Sequence, residues 1–81
     1  MTVTVSLSGT IELAGACPVE DAEVLLQHLS AAPEATVNWA ACESAHTAVI
    51  QVLLVARVRP IGSPKGRFLR EQVSPLLNRT M

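Results

Sequence analysis

The chain has 81 residues, 49% of them hydrophobic, and a formal net charge of −1. That length holds one small domain over residues 1–81, and with no Tyr, one Trp and one Phe its core is aliphatic. No stretch reaches the ~20 continuous apolar residues of a membrane span, and no basic cluster is interleaved with aromatics, which argues against membrane insertion and nucleic-acid binding.

From Val3 the apolar residues fall on every second position: Val3, Val5, Leu7, Gly9, Ile11 and Leu13. Period 2 predicts strand with one face buried, and the absence of a basic leading segment sets it apart from a signal peptide. Gly9 marks a bend or break, giving one long bent strand or two short ones. Gly15-Ala16-Cys17 reads as a loop, and Pro18 fits the first position of a helix. Glu20, Asp21 and Glu23 place negative charge near that helix start, with Asp21 and Glu23 pointing outward. Val19, Ala22, Leu25, Leu26 and Leu29 form its buried stripe, and Ala31-Ala32-Pro33 closes it.

A short strand is predicted at Thr36-Val37-Asn38-Trp39, followed by a polar elbow, Cys42-Glu43-Ser44-Ala45-His46-Thr47. The helix after it is apolar nearly all round from Ala48 to Ala56, interrupted only by Gln51, so it is buried on several sides or leaves an apolar strip for a partner. Arg57 and Arg59 complement its end and Pro60 stops it. Arg59-Pro60-Ile61-Gly62 supplies a short edge strand, and Gly62 to Gly66 a plain connector without the spacing of a phosphate loop. A last helix runs from about Arg67 to Leu77, kinked or ended early by Pro75, with residues 78–81 as a frayed tail. Strands alternating with helices predict an α/β domain with a parallel pair and right-handed crossovers. In such folds the loops after the strands carry the site, and the elbow is such a loop.

Charge is unevenly spread. Residues 1–56 hold six acids and no Lys or Arg, while all six basic residues lie at Arg57 or beyond. The two halves either neutralise one another in the fold or steer a protein partner.

At the elbow, Cys42 and His46 could pair as thiolate and imidazole with Glu43 orienting the ring, but no oxyanion hole or substrate pocket accompanies them. Cys17 and Cys42 show no CxxC pairing and read as small buried hydrophobes in a cytoplasmic chain, so no catalytic residue, metal or cofactor is assigned. A hydroxyl at the helix start is the stronger feature. Thr47 and Ser44 are the natural N-caps, and phosphorylation there would add about −1.5 to −2 charge beside the helix dipole.

Leu7-Ser8-Gly9-Thr10-Ile11-Glu12-Leu13 resembles the opening strand of the STAS domain, the fold of bacterial anti-sigma factor antagonists. Val37-Asn38-Trp39-Ala40-Ala41-Cys42 is similar to its next conserved strand, and His46-Thr47-Ala48-Val49-Ile50 falls where the family has Asp-Ser-Ser-Gly-Leu. The resemblance covers residues 5–77 and implies a small mixed sheet with helices mainly on one face. It also implies a non-catalytic, protein-binding role in bacterial signal transduction. The family's usual phosphoacceptor position is Ala48 here, which leaves Thr47 as the only hydroxyl in the motif. The chain also looks short of a usual final strand and helix, as in the divergent STAS-like proteins that accompany chemotaxis, signalling or lipid-transport components. The expected partner is a kinase, receptor or transporter component contacting Cys42, Glu43, Ser44, His46, Thr47 and Gln51. A constitutive assembly subunit that dimerises through its apolar helix is the first alternative, and a small Cys/His enzyme or metal site the second.

Overall fold

Period 2 at the N-terminus produces two strands, not one. In the computed structural model, which describes residues 2–79, β1 (Val3–Val5) and β2 (Ile11–Cys17) pair antiparallel across a turn at Ser6–Gly9. The Gly9 amide donates to the Ser6 carbonyl at 2.9 Å, and Gly9 takes φ +87°, a conformation that only Gly adopts without cost. Alternation fails at the turn: Leu7, expected on the buried face, is fully exposed at its tip, and Val5 is half-exposed.

After β2 come α1 (Glu20–Ala31), β3 (Val37–Ala45) and α2 (Thr47–Val55). The sheet order is β1-β2-β3, with β2 and β3 parallel, so the β2-α1-β3 unit forms the crossover the element order predicted. Ile61 adds a single parallel bridge to Asn38 on the far side of β3, the place expected for an edge strand. The chain then enters a π-helical turn (Leu69–Val73) that runs directly into α3 (Ser74–Arg79). The molecule is thus a small α/β domain with a three-strand mixed sheet and three helical segments on it.

One face of the sheet holds the core. Val3, Ile11, Leu13, Val37 and Trp39 are buried there against Leu25 and Leu29 of α1, Val49 and Leu53 of α2, and Leu69, Val73 and Leu77 of the last segment. Each such aliphatic side chain contributes about 1.5–3 kcal/mol when fully removed from water. Trp39 also donates its indole N–H to the Gly62 carbonyl at 2.9 Å, which ties the edge segment to β3. The opposite face carries the cross-strand row Thr4, Glu12 and Asn38, and with Thr4, Glu12 and Ala40 exposed it remains open.

Four local expectations are corrected. Gly15-Ala16-Cys17 is strand, not loop, because the parallel pairing with β3 continues to Cys17 opposite Ala45. Asp21 is turned inward, where it accepts a hydrogen bond from the Thr2 hydroxyl; that long-range partner offsets the cost of burying a carboxylate. α2 ends at Val55 rather than at Pro60. The Arg57 amide donates to Leu54 and the Val58 amide to Leu53, at 3.1 and 3.0 Å, closing a Schellman motif with Arg57 at φ +58°. Pro75 does not end the last helix. The turn before it widens, the Ser74 amide bonding to the Leu69 carbonyl five residues back, and the helix continues through Asn78 to Arg79. Of the expected frayed tail, Thr80 and Met81 lie outside the described residues.

Candidate partner-binding surface

The elbow is shorter than the sequence suggests. Cys42, Glu43, Ser44 and Ala45 belong to β3, and the change of direction into α2 falls on His46 alone. Strand persists through this polar stretch because β3 carries two irregularities against β2, between the pairs Glu12↔Asn38 and Ala14↔Ala41 and again between Gly15↔Cys42 and Ala16↔Ser44. Each inserts an extra residue on β3, and the first turns Cys42 inward.

Cys42 is therefore not a surface residue. It is fully buried, with its Sγ 3.9 Å from the buried Cys17 Sγ and 3.4 Å from the Ser44 carbonyl. The thiol hydrogen bond to Cys17 and burial push the Cys42 thiol up, so it remains protonated. Its hydrogen bonds go to Cys17 and Ser44 rather than to His46. No cluster of three or more His, Cys, Asp or Glu comes together among the described residues.

His46, not Thr47 or Ser44, is the N-cap of α2. Its Nδ1 accepts the Ala48 backbone N–H at 3.1 Å, which places the neutral ring's proton on Nε2, while its own backbone N–H donates to the Cys17 carbonyl at 2.9 Å. The ring thereby takes the capping role that a hydroxyl was expected to fill. Thr47 becomes the first helical residue and is exposed, as are Glu43 and Ser44 at the end of β3. Among the described residues nothing covers the Thr47 hydroxyl.

One turn further along α2, exposed Gln51 borders a groove between α1 and α2 of about 390 Å³. Ala22, Glu23 and Leu26 form one wall and Ala48, Gln51, Val52 and Val55 the other. Leu26, expected in the buried stripe of α1, is half-exposed here, and Val55 is 82% exposed. The all-round apolar sequence of α2 signalled a strip left uncovered. Its position between the two helices depends on how they pack and has no local signal. Glu43, Ser44, His46, Thr47 and Gln51 are all exposed, Gln51 alone of them lining the groove, whereas Cys42 is buried.

No family model matches the chain, and neither a curated protein nor a solved structure matches it.

Proposed function

We propose that this chain is a non-catalytic, protein-binding regulatory domain of STAS-like type, acting in the bacterial cytoplasm within a signalling or chemotaxis assembly. The observation that carries the reading is the surface at the start of α2. An exposed helix N-terminus with an accessible hydroxyl at Thr47 leads directly onto an apolar groove. Polar groups at one end fix orientation, and the uncovered apolar strip supplies burial when a partner docks. The resemblance to the STAS motifs around residues 37–50 supports the same surface, as does a mixed sheet with its helices on one face. Catalysis by Cys42 and His46 is disfavoured, because the thiol is buried and bonded to its fellow thiol.

A constitutive structural subunit is the second reading. It is favoured by Ala48 at the family's phosphoacceptor position, which removes the usual switch and leaves only Thr47. The partner in either case is a kinase, a receptor or a transporter component. The experiment is calorimetric titration of the purified chain with the proteins encoded beside its gene. Thr47→Glu should weaken the observed complex at least tenfold while preserving the fold, since an acid in the first turn suits the helix dipole. Thr4→Lys, on the open sheet face, should change nothing. Unaltered affinity of the Thr47 variant, or no complex with any of these proteins, would sink the proposal.

A further inference from the structure

Two thiols face each other inside this small core. The Cys17 and Cys42 sulfurs stand 3.9 Å apart, both residues are buried, and neither is bridged. They lie on neighbouring parallel strands, with Cys17 the last residue of β2 and Cys42 beside the second irregularity of β3. A disulfide needs the sulfurs to close to about 2.05 Å. The strand end and the bulge leave the ladder least regular at these two residues, so the backbone can give there. Each cysteine is also tied through its main chain to a segment outside the sheet. The Cys17 carbonyl accepts the His46 amide at 2.9 Å, and the Cys42 carbonyl accepts those of Lys65 and Gly66 at 2.9 and 3.2 Å.

From this contact and these ties we infer that Cys17 and Cys42 are a peroxide-reactive dithiol whose closure to an intramolecular disulfide shifts the start of α2. The roles of the two sulfurs differ. Cys17 retains 3% of its surface and Cys42 none, so Cys17 is the one that meets a small hydroperoxide first. The hydrogen bond from Cys42 holds the Cys17 thiol below its ordinary value, against burial and the Asp21 carboxylate, which favours the nucleophilic thiolate. The Cys17 sulfur attacks the O–O bond of hydrogen peroxide and becomes a sulfenic acid, and the released hydroxide leaves as water with the thiol's proton. The Cys42 sulfur then displaces the hydroxyl from Cys17, its own proton leaving in a second water. Two thiols and one peroxide give one disulfide and two waters, the sulfurs losing the two electrons that the peroxide gains. A dithiol reductant reverses the step by exchange. The inference concerns the core rather than the groove and does not depend on the partner reading.

The test treats the folded chain with excess hydrogen peroxide, alkylates the remaining thiols in denaturant, and cuts after glutamate. Cys17 then falls in peptide 13–20 and Cys42 in peptide 35–43, and neither peptide holds a Met to confuse the mass. The two peptides should be joined by a bond that dithiothreitol breaks, in a protein that still runs as one chain on a denaturing non-reducing gel. In proton–nitrogen correlation spectra the amides of His46, Lys65 and Gly66 should move on oxidation and return on reduction. Cys42→Ala should leave Cys17 as a sulfenic acid that dimedone traps, and Cys17→Ala should leave Cys42 unmodified. The wild-type result decides even where a variant fails to fold. Both cysteines still open to alkylation, or joined only between chains, overturns the inference. So do dimedone on Cys42 with Cys17 untouched, and linked peptides with the His46 amide unmoved.

Discussion

Gly66 lies so close to the backbone of Glu43 that a Cβ on residue 66 would stand 1.8 Å from the Glu43 carbonyl oxygen. The approach is fixed by two hydrogen bonds, the Lys65 and Gly66 amides donating to the Cys42 carbonyl at 2.9 and 3.2 Å. The connector between Ile61 and the last helix is therefore clamped to β3. Gly66→Ala must push that segment away and strand those donors, so it should destabilise by about 1–3 kcal/mol. Urea denaturation reads this as a lower midpoint at unchanged slope. A change below about 0.5 kcal/mol, the range of an ordinary surface substitution, would show that the clamp is not rigid.

Arg57 holds the left-handed position of a Schellman motif that Gly usually occupies. A non-Gly residue there costs about 1–2 kcal/mol, and Gly gives back about 0.5–1 kcal/mol through the freedom of the unfolded chain. Arg57→Gly should raise stability by roughly 0.5–1 kcal/mol, and Arg57→Val should lower it, because a branched side chain fits the conformation worst. Thermal melts of the two variants, moving in opposite directions, check both signs.

The His46 ring is a serviceable cap but not the best one. His46→Ala removes the acceptor from the Ala48 amide and should cost about 0.5–1 kcal/mol. His46→Asp keeps an acceptor and adds a negative charge at the positive end of α2, so it should be at least as stable as the native chain. If the Ala variant matched the native chain in chemical denaturation, the Nδ1 contact would carry no stability.

Element order was legible because it rests on local signals: alternation from Val3, Pro18 and the acids after it, the apolar run from Ala48, and the break at Gly9. What escaped the sequence was long-range. Asp21 looked like a surface acid because its partner, the Thr2 hydroxyl, lies on another element. Leu26 had helical spacing for the core but faces the gap that α1 and α2 leave between them. Of the residues expected at the partner contact, Glu43, Ser44, His46, Thr47 and Gln51 are exposed, as their polarity near a helix start suggested. Cys42, read both as a buried thiol and as a contact residue, is buried, and the irregularity that turns it inward is visible only against β2.

Cys42 makes stability depend on alkaline pH. The hydrogen bond with Cys17, and after it burial, raise its thiol above the ordinary value of 9.0, so the unfolded chain loses that proton first as pH rises. Below pH 9 this contribution is fully present. Above it the unfolded state binds fewer protons than the native one, and stability falls by up to ~1.4 kcal/mol per pH unit. Urea midpoints between pH 7 and 10.5 should show this slope in the native chain and lose it in Cys42→Ala. An equal slope in both would assign the alkaline loss to other groups.

The two irregularities of β3 have a bearing on how its length can change. Nine residues of β3 climb beside seven of β2, and because each extra residue is taken up within its own bulge, Ala45 still faces the same side as its partner Cys17. Deleting one extra residue would close one bulge and leave the pairs beyond it in phase with β2, so His46, Thr47 and the take-off of α2 would keep their facing. Removing both would leave seven residues of β3 in plain alternation beside seven of β2. Single-residue changes of length at either bulge should thus be absorbed one at a time, and chains that differ by one residue there would present the same surface.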